Sequence, residues 1–379
     1  MRNKRLIMLV LLMAATLLVG CWDQVEIDDR IFIAILGFDI APEDLAENPG
    51  QSKYQLSISF PNQSGGLGGE VELTNVYLSS LGSNMHSILR QIGARTSKSI
   101  YFGHLRGLVL GEELAKDPRM IREILDAFEN NPLISRRISI GIVEGKAKDI
   151  IEMEPQQEGD VGQYITRIFR KMDKSQRAPL MDIGEVLISL HNNGDVLIPR
   201  LVPDEKEIKT AGSAVIKNFA LVGWLGEKET IAANMAAGKV DLIVIDIPFE
   251  EMLIPYNITD GRARYEIFHN KEDIIFKIEI DVEGDLEQMY LNAEEDLTDP
   301  KFINELQSQA EKKIKDMVEG TLVKLQKEFN SDALDISSYI QKYHPSLWKE
   351  IEEDWDEVYK NMNFEVVADV KIRRVGLSR

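Results

Sequence analysis

Phe276-Lys277-Ile278-Glu279-Ile280-Asp281-Val282 alternates apolar and charged side chains without a break. Successive side chains of a strand point to opposite faces, so the four apolar residues share a packed face and the three charged ones a solvated face. A sheet that is wet on one side is antiparallel or mixed, not the doubly covered parallel kind. Phe364, Val366, Ala368, Val370 and Ile372 repeat the same period of two near the C-terminus. Between these runs, Asp299-Pro300 supplies an N-cap followed by proline at the first helical position. Behind it, Ile303, Leu306, Ala310, Ile314, Met317, Leu325 and Phe329 form an apolar stripe at helical spacing. About thirty residues at 1.5 Å each give a helix ~45 Å long, enough to cross a sheet. Packing on its own sheet is expected here, rather than a coiled-coil partnership. The fold class that follows is α+β, multi-domain, with mixed or antiparallel sheets, packed helices, and the long helix of the C-terminal domain against a sheet.

Working outward, residues 31–38 form an apolar, isoleucine-rich run that reads as one buried strand. Residues 54–60 alternate and predict a strand with one wet face. Four glycines lie within residues 63–70, but no Gly-Lys-Ser/Thr follows and 71–78 reads as a strand, so this is a loop and not a phosphate cradle. Helices are predicted over 83–93, from Asp117-Pro118 to Asn131-Pro132, around Tyr164 to Phe169, over 181–190 and over 227–237. Further strands are predicted at 138–143, 212–216, 221–225, 242–249 and 262–268. His344-Pro345 opens a last helix with Leu347, Trp348, Ile351, Trp355, Val358 and Tyr359 inward, and Glu352-Glu353-Asp354 on its wet side. Pro199, Pro203 and the charged run 204–209 mark a domain boundary. The expected organisation is a leader at 1–20, an N-terminal α+β region at 21–200 with an insertion-like part at 40–80, a linker at 201–211, and a C-terminal α+β domain at 212–379.

The leader reading rests on Arg2, Lys4 and Arg5, the apolar run 6–19, and Leu18-Val19-Gly20-Cys21. A charged start, a short hydrophobic core and a small residue make a secretory signal, too short for a spanning helix. Cleavage between Gly20 and Cys21 would leave the chain's only cysteine at the new N-terminus, in what looks like a bacterial lipobox. Its thiol would then carry a diacylglyceryl group, and no disulfide or free thiol would remain. The chain holds 44 Lys+Arg against 63 Asp+Glu, a net charge of −19, and losing the leader's three cations takes it to −22. So acidic a body does not suit nucleic acid, and an anionic bilayer repels it as a whole. Acyl chains, at about 0.8 kcal/mol per buried methylene, do not depend on charge.

Catalytic and metal-binding patterns are missing. His86, His104, His191, His269 and His344 are scattered, with no His-Glu-x-x-His, Gly-x-Ser-x-Gly or dinucleotide fingerprint. The sequence therefore implies no cofactor, no metal and no enzymatic activity. Two residues stand as candidate partner or membrane contacts. Trp22, beside the lipid, can rest at the bilayer interface or fold into the first domain. His104 follows Tyr101-Phe102-Gly103 and is either a contact residue or a structural histidine at a strand start, the latter being the plainer expectation.

The order of short motifs resembles one family. Cys21-Trp22-Asp23-x-x-Glu26-Ile27 after a lipobox looks like the start of the Ger(x)C spore germination lipoproteins, the C subunits of nutrient germinant receptors. Arg95-Thr96, Tyr101-Phe102-Gly103-His104 and Gly111-Glu112-Glu113-Leu114-Ala115 continue the resemblance. So do Gly212-Ser213-Ala214-Val215, Val222-Gly223, Glu229-Thr230, His344-Pro345, Trp348 and Trp355. Asp335-Ile336-Ser337 departs from the family's Asp-hydrophobic-Gly. The resemblance implies a three-domain α+β, non-enzymatic lipoprotein on the outer face of the spore inner membrane. It also implies partnership with A-type and B-type integral-membrane subunits. A solute-binding lipoprotein of a transporter shares the anchor and acidic surface, but such proteins are two lobes with parallel sheets around a cleft.

Overall fold

The computed structural model describes residues 26–43, 52–64, 72–156, 158–175, 177–240, 242–249, 252–270, 273–286 and 300–375. Gly20, Cys21 and Trp22, most of the glycine-rich loop, and Asp299 lie outside them.

The run read as a single strand at 31–38 is divided. After a 3-10 turn at Ile27–Asp29, β1 (Arg30–Phe32) and β2 (Ile35–Ile40) join different sheets. Between them the Ala34 carbonyl accepts from Arg106 N at 2.8 Å, so the backbone pairing changes partner at that point. There follow β3 (Tyr54–Ser64), β4 (Glu72–Gly82), α1 (Met85–Gly93), β5 (Ser99–Tyr101), β6 (Gly107–Gly111) and α2 (Glu112–Ala115). Next come α3 (Pro118–Glu129), β7 (Ser139–Val143), α4 (Ala147–Ile151), α5 (Val161–Ser175), α6 (Ile183–Asn192), β8 (Val196–Pro203), β9 (Ile208–Lys217) and β10 (Ala220–Leu225). β1 pairs in parallel with β5 alone, while eight strands form one sheet in the order β10-β9-β8-β7-β6-β2-β3-β4. Its centre, β2 to β8, is parallel and its two flanks are antiparallel.

Helices cover both faces of this sheet. α1, α3 and α6 pack Ile88, Phe128 and Leu187 against Leu36, Phe38, Leu108 and Ile140. α4 and α5 pack Ile150, Ile151 and Phe169 against Ile35, Val109 and Leu201 on the other side. That second layer corrects the expectation of a wet face on residues 54–60. Gln55, Ser57 and Ser59 do point opposite to Leu56 and Ile58, but they are buried too. Ser57 and Ser79 hydroxyls bond at 2.7 Å to satisfy one another. Asp117 caps α3, accepting from Arg119 N at 2.9 Å. Asp117→Ala is expected to cost about 0.5–2 kcal/mol in urea unfolding, as for other N-caps.

The expected linker at 201–211 is a hairpin, with Leu201 opposite Thr210 and Pro203 opposite Ile208. The proline and charge read as a boundary lie in and beside this hairpin, whose strands belong to one sheet that runs on to Leu225.

The second half begins with α7 (Glu227–Ala236), then β11 (Ile243–Phe249), β12 (Met252–His269) and β13 (Ile274–Leu286). α8 (Pro300–Val323) continues through a π turn at Lys324–Glu328. α9 (Ile336–Tyr343), α10 (Pro345–Ile351), a 3-10 turn at Glu352–Asp354, α11 (Trp355–Asn361) and β14 (Asn363–Val375) complete it. β11, β12 and β13 form an antiparallel meander, and β14 adds in parallel to β13, with Phe276 opposite Phe364 and Ile280 opposite Ala368. Phe276, Ile278, Ile280 and Val282 are inward, as their alternation requires. α8 lies on this sheet with Leu306, Ala310, Ile314, Val318 and Leu322 buried, so the stripe is satisfied within the chain. β12 starts ten residues before the expected 262, with Ile254, Tyr256 and Ile258 inward. The single last helix is instead α10, a 3-10 turn and α11, while Trp348, Trp355 and Val358 still pack on the core.

Candidate functional site

Two places gather the motif residues: the junction between the two sheets, and the face around His104. At the junction, Asp195 sits in the turn between α6 and β8, and Asp332 in the segment between the π turn and α9. Both are buried. Asp195 accepts from Asp332 N at 2.7 Å and Asn218 N at 3.2 Å. Asp332 accepts from Ile336 N and Ser337 N, each at 2.8 Å, and so caps α9. Asn193 donates to the Asp332 carbonyl at 3.0 Å. Burial pushes the Asp332 carboxyl up to about 7 and raises Asp195 as well, while the N–H groups pull both back. Asp335 enters α9 at φ 61, the left-handed region that a glycine or short polar residue tolerates. Sequence reasoning missed these acids, because Asp332 caps at i+4 and i+5 where the usual N-cap signal is i+2 or i+3.

The other junction contacts explain three motifs. Gly212 has φ 103, and a Cβ there would meet the Leu225 carbonyl. Ser213 and Thr230 hydroxyls bond at 2.8 Å, tying α7 to β9. Glu229 accepts from Gly226 N at 2.6 Å, closing the start of α7, and takes Lys324 Nζ at 2.9 Å. Lys324 also donates to the Trp224 carbonyl at 3.2 Å. Phe329 lies against Gly223, where any Cβ would overlap its ring. Leu197, Val215, Leu225, Ala233 and Leu325 fill the space beneath.

In the first half, the third buried acid, Asp39, accepts from Ala147 N and Lys148 N at 2.8 Å each and caps α4. Its carboxyl is raised by burial and lowered by those two donors. Asp39, Asp195 and Asp332 thus each accept from backbone N–H groups, while Asp335, also raised by burial, accepts from the Asn193 side chain at 3.3 Å. Perturbed acids in a cleft can mark catalysis; here Asp39 and Asp332 accept from helix-start N–H groups and Asp195 from two loop N–H groups. Among the described residues no three His, Cys, Asp or Glu side chains are grouped to hold a metal ion, and no helix is long and apolar enough to cross a membrane.

His104 is exposed, in the turn that follows β5. Its ring lies 4.7 Å from that of Phe32, and Tyr101 meets Phe32 edge-on at 5.6 Å. The Arg30 guanidinium covers Tyr101 at 4.6 Å. The Tyr101 ring lies over Gly103, in space that a Cβ there would enter. His104 is therefore exposed yet packed on an aromatic neighbour, in the turn before β6. Alongside, Arg95 donates to the Ser79 carbonyl at 2.6 Å and the Thr96 hydroxyl to the Lys98 carbonyl at 3.0 Å. These bonds shape an open groove of about 1020 Å³ between α1, α3 and the 96–102 loop.

Comparison with known proteins accounts for this distribution of motifs. Residues 23–203 match the family model described as spore germination protein N-terminal domain, and residues 211–376 the one described as spore germination B3/GerAC like, C-terminal. The two models change over at the β8–β9 hairpin, although the sheet does not. Spore germination protein YndF of Bacillus subtilis is 24% identical, over 94% of this chain and 93% of its own. Spore germination protein B3 of the same organism is 23% identical, over 95% of each chain. The crystal structure of the GerBC protein superposes with a TM-score of 0.61 at 19% identity, covering 89% of this chain and 97% of that one. With both halves matched and the α+β architecture shared, the chain belongs to the Ger(x)C family of spore germination proteins.

Proposed function

We propose that the mature chain is a non-enzymatic, lipid-anchored C subunit of a spore nutrient germinant receptor. Cys21 carries the lipid, and the body lies on the extracytoplasmic face of the spore inner membrane. There it assists assembly and function of the receptor by contact with A-type and B-type integral-membrane subunits. The observation that carries this reading is Leu18-Val19-Gly20-Cys21 at the head of a chain whose remaining length belongs to a spore germination family.

Cys21→Ala is expected to leave an unlipidated precursor, to reduce the membrane-bound fraction, and to impair germination on nutrients. Mass spectrometry of the N-terminal peptide, fractionation of the spore membranes and loss of optical density in nutrient medium read the three effects. Normal membrane retention together with normal germination in that variant overturns the reading. Crosslinking in spore inner membranes tests the partners, and capture of neither integral subunit counts against them.

A further inference from the structure

The net charge argues that an anionic surface repels this chain, yet one cleft of about 360 Å³ has the opposite character. One wall is Phe32, His104 and Arg106 at the end of the small β1–β5 sheet. The other is a single face of α5, where Thr166, Arg167 and Arg170 stand at helical spacing. Arg167 pairs with Glu158 at 3.0 Å, and Asp160 at the head of α5 accepts from Gly162 N at 2.8 Å. The Arg106 guanidinium donates to the carbonyl of Leu105 at 3.4 Å, and among the described residues neither it nor that of Arg170 has a carboxylate within 4.0 Å. Three guanidinium groups and an exposed imidazole thus face two acids, one of them already paired. Arginine's planar fork of donors matches phosphate oxygens.

The cleft's position in the chain narrows what fills it. Phe32 follows Cys21 by eleven residues. At ~3.3–3.6 Å per extended residue, an acylated Cys21 keeps this wall within ~40 Å of the bilayer surface. We propose that the cleft takes the phosphate of an anionic phospholipid in the membrane that anchors the chain, fixing which face of the N-terminal half meets the bilayer. This inference rests on the lipid anchor proposed above. Glu26, Asp28 and Asp29 are exposed just ahead of β1 and oppose any broad attraction. The contact is therefore local, salt-sensitive, and orients a body that the acyl chains already hold.

The test uses the mature chain with Cys21→Ser, so that no acyl chain contributes. It is sedimented with vesicles of phosphatidylcholine alone or of phosphatidylcholine with phosphatidylglycerol, at low and physiological salt. Retention on the phosphatidylglycerol vesicles only, weakened by salt, is expected. The Arg106→Gln/Arg170→Gln variant should lose at least about tenfold of that binding, since each cation near such a surface contributes measurably. Arg262→Gln, on the far sheet, should lose none. Circular dichroism confirms that each variant is folded. Equal binding to both vesicle types, or no loss in the double variant, overturns the proposal. So does a thermal shift with inorganic phosphate unaccompanied by vesicle binding, which would make the cleft a free-phosphate site. Failure of the anchor itself is read separately, from the mass of the Cys21 peptide in native membranes.

Discussion

Asp332→Ala is expected to destabilise the chain by about 2–4 kcal/mol at neutral pH, because it leaves the N–H groups of Ile336 and Ser337 without acceptors in a dry site. The relief of removing a buried charge offsets part of that loss and keeps the figure below the sum for two orphaned donors. Asp332→Asn keeps the volume and one acceptor oxygen, so a smaller loss is expected. Its use is in pH dependence. Burial holds this carboxyl at about 7 in the folded chain, against an ordinary value of 3.8. Between those values the folded chain binds more protons than the unfolded one, so the carboxyl's contribution falls as pH rises through the window and is lowest above 7. The stability of the native chain minus that of Asp332→Asn should therefore be most positive near pH 4 and decline by a few kcal/mol towards pH 8. Asp195 is raised in the same direction and is present in both proteins, so it cancels to the extent that the two acids titrate independently. Urea unfolding at several pH values supplies the curve, and a difference that stays level with pH contradicts a carboxyl titrating there.

The residues that were legible in sequence are those with local causes. Asp117 before Pro118, the alternation at 276–282 and the stripe from Leu306 to Ile314 each encode an element through neighbours in the chain. What was not legible depends on something distant. The polar positions Gln55, Ser57 and Ser59 read as wet because nothing nearby in sequence announces α4 and α5, some hundred residues later, as their cover. Asp39, in β2, caps a helix 108 positions away, which nothing beside it in the chain announces. α9 was missed because its start is signalled by Asp335 in a left-handed conformation and by a cap four residues upstream. For the same reason the motif residues Gly212, Gly223 and Glu229 gave the family but not their tasks. Each task lies in a contact across the junction or between β9 and α7.

Gly223→Val tests the most compact of those contacts. Gly223 lies in β10 of the eight-stranded sheet, and Phe329 follows the π turn that ends α8. The ring lies directly on the glycine, with Lys324 Nζ 5.7 Å from its centre. A valine side chain cannot share that space, so either Phe329 is expelled or β10 shifts, at a cost of about 1–3 kcal/mol for overpacking. The backbone itself accepts valine, because Gly223 is an extended strand position without positive φ. The penalty therefore belongs to the pair and not to the strand. Phe329→Ala alone should also destabilise, through lost burial of the ring. The double variant should be more stable than the sum of the two losses, by about 0.5–3 kcal/mol of coupling. Lys324 would then keep its bond to Glu229, and cleavage between the halves under limited proteolysis should rise in Gly223→Val and fall back in the double variant. Losses that add within about 0.5 kcal/mol would show that the two residues do not meet.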